Sequence, residues 1–446
     1  MPGTTEYVAS FVAQTRYEDL PQEVVALCKR QLLDTLGVSL LAGRYEVGQM
    51  AHRIARHTRG EAQATVIGAG LRTTVPAAAY ANAALCRALE YDDIWVPVTH
   101  PSSVVVPPAL AVGEARGISG KQLIVALAVG YEVLGRTALG ASGGRGWNTT
   151  IVFGALGAAA AAAKAAEATA HQVRVALGYA GAWTGGLGAH LGTMAGYFGC
   201  GVAAQNGVMG VLLAQEGMTA NPNILEAPRG FYDSLYGGVG DLWRVTSLLG
   251  RPYHLQAPGV GIKFYPSGWL LHHTFDATLR LVRRHHITAP QVEAIAISIP
   301  SPTYFLNRPL PANGVEARYS LQYHAALAVL DGRLDVESFT DRRLQAEDVQ
   351  ALLRRTALTV RPGLPDPVDR LVNPVTLRLP AGPEGTDEER LPLSHGRYPP
   401  EPRQGRDKFR ACVAGVLSEE RAARVLEVCD RLDEVADVRE LTALVA

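Results

Sequence analysis

Two adjacent acids and a histidine stand close together in Tyr91-Asp-Asp-Ile-Trp-Val-Pro-Val-Thr-His-Pro-Ser-Ser103. Asp92 and Asp93 come first, and His100 follows just ahead of a proline. Carboxylates and an imidazole are the usual parts of an acid/base site. The plainer reading of the same residues is an N-cap aspartate and a loop histidine. Further along, Lys263 lies in a glycine- and proline-rich turn, where an ammonium binds a substrate carboxylate or stabilises an enolate. His272 and Asp276 are spaced i and i+4, so they share a helix face, and an acid there would fix the tautomer of the ring. Tyr323 sits among apolar neighbours, and its hydroxyl needs a partner, either a ligand or a backbone carbonyl. Arg136 ends the apolar stretch 121–135, where it binds an anion or pairs with Glu132 one turn back.

The elements that must hold these groups are mostly helical. Ala77–Leu89 and Val104–Ala115 flank the acidic segment and read as buried helix, so a polar loop between them is costly unless its groups are paired or used. Glu23–Ser39, Gly120–Leu139 and Gly154–Ala168 carry apolar residues at helical spacing, many of them small. No alternating run before residue 260 reads as a good strand. The glycine-rich run Gly181–Gly192 lacks a preceding strand and reads as a helix break that brings backbone close to a neighbour. After Gly259 the pattern changes. Helices are expected at Leu270–His286, Ser320–Asp331 and Glu347–Leu353, and strands at Val292–Ile299, Leu358–Arg361 and Val375–Leu379. Pro380–Arg406 reads as an exposed loop, with helices returning at Lys408–Leu417 and Ala422–Glu434. The expected architecture is mostly α: an all-helical domain of residues 1–262 and 407–446, and a smaller α+β lid domain of residues 263–406. Lys263 falls at that boundary, and clefts between domains are favoured ligand sites.

Composition narrows the function. Lys+Arg 42 equals Asp+Glu 42, so bulk charge favours neither nucleic acid nor an anionic membrane. Five cysteines, none in a CxxC, argue against a disulfide framework or structural zinc and fit a reducing cytoplasm. The N-terminal residues show no signal-peptide pattern, and the most apolar run, Ile151–Ala163, is too short to span a bilayer. There is no P-loop, dinucleotide-binding GxGxxG, HExxH or GxSxG motif.

In order and spacing, several segments together resemble the MmgE/PrpD family, which includes 2-methylcitrate dehydratase, cis-aconitate decarboxylase and iminodisuccinate epimerase. They are Leu33-Asp-Thr-Leu-Gly37, Ala88-Leu-Glu-Tyr-Asp-Asp93, His100-Pro-Ser with Pro107-Pro-Ala-Leu110, and Gly130-Tyr-Glu-Val133. Gly154–Ala160, Ala203-Ala-Gln-Asn-Gly207, Lys263-Phe-Tyr-Pro266, His272 with Asp276-Ala277, and Ala317–Tyr323 complete the set. The resemblance implies a helical domain with an α+β lid, a homodimer, and chemistry on a small carboxylic acid without metal or organic cofactor. It implies Asp93, with Asp92 beside it, His100, Lys263, His272 and Tyr323 as site residues, all but Asp92 catalytic; Asp92, Trp95, Arg136, Trp147, Asn148 and Tyr197 are expected to contact substrate. The sequence departs from the family pattern at Ile94-Trp95, at Gly146-Trp147-Asn148, at Ala195–Gly199 and at Val202. An imidazole, a lysine and an arginine are thereby lost, and Trp95, Trp147, Tyr197 and Phe198 gained. The expected activity is therefore dehydration of a β-hydroxy acid or ester less charged than methylcitrate. Isomerisation, decarboxylation, cyclisation and ligand binding without catalysis are the alternatives.

Overall fold

The computed structural model describes residues 3–95, 100–141, 146–238, 240–299, 306–361, 375–378, 385–387 and 402–446. The chain is mostly α-helical with a few small sheets. It divides into two compact units. Among the described residues, the first holds residues up to Ala88, Asp92–Ile262 and the C-terminal helices, and the second holds Leu89–Tyr91 and residues 263–387.

The first unit is a helix bundle. Its main members are α1 (Gln22–Ala42), α2 (Val75–Arg87), α3 (Pro101–Arg116), α4 (Gly120–Leu139), α5 (Thr149–Ala165), α6 (Ala170–Ala182) and α7 (Met194–Gln215). Helix α5 is the hub, packing against α3, α4, α6 and α7. Its sequence is rich in alanine and glycine, above all over Gly154–Ala163, and every residue but Thr149 and Lys164 is buried. Small residues set the spacing of these helices. A Cβ on Gly207 of α7 would lie 2.5 Å from the Ala158 Cβ of α5, and one on Gly130 of α4 would lie 2.7 Å from that of Ala161. Helices α4 and α7 are long and apolar enough to cross a membrane, and α4 is largely enclosed in the bundle, as a core helix is. A C-terminal helix, Pro402–Val413, packs on α1, where Lys408 Nζ lies 2.7 Å from Asp34 Oδ1 with both side chains buried.

The first unit is not purely helical as expected. A hairpin joins β1 (Ala64–Val66) to β2 (Leu71–Thr73), and β3 (Asp93–Ile94) pairs antiparallel with β4 (Gly261–Ile262). Strands of two or three residues are too short to show a period of two, which is why the sequence pattern missed them.

The second unit sets α8 (Trp269–Arg284) and α9 (Leu321–Leu330) against one another and beside a sheet ordered β6-β5-β7-β8. Here β5 is Ala294–Ile299, β6 Thr356–Val360, β7 Val375–Arg378 and β8 Gly385–Asp387. Strand β5 pairs parallel with β6 and antiparallel with β7, and β7 pairs antiparallel with β8. Ile295, Ile297 and Ile299 are buried while Ala296 is exposed, the alternation that marked this strand in the sequence, although Ser298 is buried as well. Ser320 caps α9 through the Tyr323 amide, and Gly332 ends it at φ +61. The expected loop 380–406 is interrupted by β8, and the following helix begins at Pro402, not Lys408. The rest of that loop lies outside the described residues.

Candidate active site

In the first unit, β3 and the start of α3 bring the acids to the histidine. His100 occupies the N-cap position of α3, with Pro101 fixing the first helical turn. Its Nδ1 lies 3.1 Å from Asp92 Oδ2 and 3.2 Å from the Asp93 carbonyl oxygen. Asp92 is also 3.8 Å from Arg87, whose guanidinium stands over the ring of Tyr197 at 5.4 Å. Asp93 is fully buried at the helix N-terminus, where both its oxygens accept from the Ser102 amide at 3.2 Å. The Ser102 hydroxyl donates to Asp93 Oδ2 at 2.5 Å and shares a second short bond with Tyr131 Oη. Burial first, and the neighbouring Asp92 charge second, hold the Asp93 carboxyl well above the usual carboxylate range, and the Ser102 bonds only partly offset them. The capping reading of Asp93 holds: it accepts from the Ser102 amide at the start of α3, while its burial beside Asp92 favours its protonated form.

In the second unit, Lys263 is completely buried and sits 2.7 Å from Glu90 Oε2 and 3.1 Å from the Glu90 carbonyl oxygen. The Tyr319 hydroxyl donates to the other Glu90 oxygen. Arg318 donates to the carbonyls of Leu89 and Pro266, which ties Leu89–Tyr91 into this unit. Glu90 takes φ +54, a backbone region that costs a non-glycine residue about 1–2 kcal/mol and persists only where surroundings impose it. His272, on α8, is buried, and Tyr265 and Trp269 pack on it with ring centroids at 5.1 and 5.3 Å. Burial, then the nearby Lys263 charge, then His324 and His273 keep this ring neutral, far below its ordinary pKa.

Residues 6–241 match the N-terminal domain profile of the MmgE/PrpD family, and residues 265–434 match its C-terminal one. The chain belongs to the MmgE/PrpD family. It is 30% identical over 462 residues to cis-aconitate decarboxylase of Mus musculus, covering 100% of this chain and 93% of that one. The Homo sapiens protein of that name is 29% identical over 460 residues, with 100% and 95% coverage. A cis-aconitate decarboxylase of Aspergillus terreus is 24% identical over 486 residues, with 99% and 96% coverage. The relatives are named decarboxylases, which are lyases, and this chain aligns with 93% to 96% of their lengths.

Several expected site residues have other employment in this member of the family. Tyr323 donates its hydroxyl to the Ser338 carbonyl at 2.5 Å, so it holds two segments together. Asp276 does not orient His272; it accepts from the Tyr265 hydroxyl at 2.8 Å, and the Ser267 backbone bonds the imidazole instead. Arg136 is an interior brace, bonding Glu132 at 2.7 Å and the Pro252 carbonyl. Trp147 donates its indole N–H to the Leu235 carbonyl at 3.1 Å. The Asn148 amide donates to Gly186 at 2.9 Å, so the backbone approached by the glycine-rich run is segment 146–148. Tyr197 is buried beneath Arg87. Trp95 is buried edge-on against His254, their centroids 4.2 Å apart. Val202 is 44% exposed on α7, so the arginine that the family pattern places there is replaced at a surface position. The residues the sequence reading missed are Glu90, Tyr319, Arg318, Ser102, Tyr131 and Arg87. Glu90 and Tyr319 lie inside the quoted family segments, but nothing in a linear sequence pairs either with Lys263.

Proposed function

We propose that this protein is a lyase that breaks a bond next to a carboxylate of a small organic acid, and that decarboxylation of an unsaturated acid such as cis-aconitate is its reaction. The carrying observation is the second unit's combination of a buried ammonium, Lys263, with a buried neutral imidazole, His272, in electrostatic reach of it. A fixed cation in a water-poor site lowers the energy of negative charge developing beside a carboxylate. A neutral imidazole accepts or returns the proton at carbon. In decarboxylation the C–CO2 bond breaks, its electron pair moves through the double bond, the far carbon takes a proton, and CO2 leaves. Asp93, which retains its proton, and His100 beside Asp92 are the first unit's proton-handling groups.

The relatives' names support decarboxylation over other outcomes. A second reading, dehydration of a β-hydroxy acid, is favoured by Asp93, because a carboxyl that stays protonated is an acid able to release a hydroxyl as water. Purified protein would be given cis-aconitate and, separately, 2-methylcitrate, with product followed by NMR and mass spectrometry. Loss of CO2 from cis-aconitate, abolished in His272→Asn, supports the first reading. Loss of water from methylcitrate transfers the assignment to the second and overturns the expectation of a less charged substrate. No turnover of either acid overturns both. A homodimer is proposed as well, supported by apolar Met194, Val202 and Leu212 exposed along α7. A monomer by light scattering at micromolar concentration would overturn it.

A further inference from the structure

Three side chains of the first unit form a line into one carboxyl. Tyr131 of α4, Ser102 in the first turn of α3 and Asp93 of β3 are all buried. The Ser102 hydroxyl donates to Asp93 Oδ2 at 2.5 Å, and its oxygen lies 2.5 Å from Tyr131 Oη. A serine hydroxyl has one proton, here spent on Asp93, so Tyr131 is the donor in the second bond. Tyr131 fills that place at any ordinary pH, because burial first and the Asp93 charge second hold its hydroxyl well above its usual pKa. The donors therefore run one way, from Tyr131 to Ser102 to Asp93. The two carboxyl oxygens are unequal as a result. Oδ2 accepts the hydroxyl and a share of the Ser102 amide at 3.2 Å, whereas Oδ1 accepts only its share of that amide at 3.2 Å. A proton on this carboxyl belongs on Oδ1.

We propose that Ser102 and Tyr131 are positioning residues for Asp93: they fix Oδ2 as an acceptor, leave Oδ1 to carry and give up the proton, and hold the carboxylate that results. The inference rests on reading Asp93 as a group that gives a proton to substrate. In that step the Oδ1–H bond breaks, its electron pair stays on Oδ1, the proton bonds to substrate, and solvent restores it before the next turnover. Hydrogen bonds donated to a carboxyl favour its charged form, so the line stabilises Asp93 once the proton has left. The other groups facing Asp93 are Asp92 beside it, Asp34 and Arg30 from α1, and the Cys86 thiol from α2. Asp92 and Asp34 oppose the carboxylate, and Arg30 favours it through charge alone. His100 Nδ1 faces the Asp93 carbonyl oxygen, not its carboxyl. Among the described residues, Ser102 is the one hydrogen-bond donor to that carboxyl.

The test follows the carbonyl stretch of protonated Asp93 by infrared spectroscopy of the full-length protein across pH, the band being assigned by its loss in Asp93→Asn. In the parent the band should fade as pH rises. Ser102→Ala removes a bond that favours the charged form, so the band should persist to higher pH, by roughly one to two units. Tyr131→Phe, which keeps the ring, should move it the same way by less, and it carries the test if Ser102→Ala does not fold. Ser102→Thr, which keeps the hydroxyl, should restore the parent titration. In turnover Ser102→Ala should lower kcat roughly 10-fold or more, leave KM within about 3-fold, and move the alkaline limb of kcat to higher pH with the band. A serine that only packs α3 would change stability and leave both titrations in place. A band that titrates alike in the parent, Ser102→Ala and Tyr131→Phe overturns the proposal. The absence of any band assignable to Asp93 overturns it together with the reading of Asp93 as an acid. The infrared readout needs no turnover, so a shifted band without lyase activity removes the functional reading and still upholds the line.

Discussion

In the first unit two carboxylates, Asp92 and Asp93, stand side by side with His100 and Arg87 around one of them, whereas in the second the Glu90 carboxylate lies 2.7 Å from the Lys263 ammonium. All four acid and base side chains of these two pairs are buried to within a few per cent. Burial penalises charge, and the two clusters meet the penalty differently. The matched pair is neutral as a pair and keeps a fixed cation at a fixed place. The unmatched pair relieves excess negative charge by retaining a proton on Asp93. The first arrangement suits charge stabilisation and the second suits proton donation.

The comparison breaks most visibly at Glu90. Glu90→Leu leaves the Lys263 ammonium buried without its carboxylate and should cost about 3–5 kcal/mol of stability in urea unfolding. Glu90→Leu combined with Lys263→Met removes both charges and should recover most of that loss, with activity still absent. A single-variant cost below about 1 kcal/mol would show that the pair is not a closed ion pair.

Asp93 sharpens the other half. Its folded pKa is raised, so the folded state keeps a proton that the unfolded chain releases. Stability from this group is therefore complete below the ordinary carboxylate pKa and falls as pH rises toward the folded value. The slope is at most about 1.4 kcal/mol per pH unit. Asp93→Asn, a near isostere, should be less acid-favoured than the parent: thermal melts across pH 4 to 8 should lose this part of the decline. Unchanged pH dependence would mean that Asp93 is ionised and that the two clusters do not differ as argued. His324 runs the opposite way. Its folded pKa is down to about 4, so the stability of its neutral state is lost as pH falls below its ordinary value, and His324→Gln should flatten that acid-side loss.

Much of the fold was legible because its elements are long and periodic. Gly120–Leu139 and Glu347–Leu353 have the bounds read from the sequence, and the shift to α+β after Gly259 is where the second unit's main body begins. The site was legible only as far as local spacing reaches. Asp92, Asp93 and His100 lie within nine residues, and the structure brings them together. Lys263 was expected in a turn as a lysine that binds a substrate carboxylate or stabilises an enolate, but its buried partner Glu90 is 173 positions away, and no sequence period connects them. The i, i+4 rule paired His272 with Asp276, yet Tyr265, from the preceding turn, takes the acid and the Ser267 backbone takes the ring. Helical spacing places side chains on one face but does not settle competition from segments outside the helix. The Tyr323 hydroxyl was expected to find a ligand or a backbone carbonyl and the Trp147 indole to contact substrate; backbone carbonyls satisfy both here, the commoner fate of buried polar side chains.

Tyr323 supplies the smallest and most discriminating prediction. A tyrosine acting on the leaving group and a tyrosine bracing Ser338 are both buried, and both lose a hydroxyl in Tyr323→Phe. The structural role costs one buried hydrogen bond and leaves the Ser338 carbonyl unsatisfied, about 1–2 kcal/mol of stability. It touches no reacting atom, so kcat per folded molecule should stay within about 3-fold, whereas losing a general acid typically costs 10²–10⁴-fold. Burial pushes the Tyr323 hydroxyl further up from its already high ordinary pKa, making it a still poorer acid at neutral pH than an exposed tyrosine. Melting curves and initial rates on the same preparations separate the cases. A destabilised variant with near-normal kcat keeps proton handling with the carboxylate cluster of the first unit and the imidazoles of the second. A stable variant with collapsed kcat would return Tyr323 to the chemistry and require its bond to Ser338 to break during turnover.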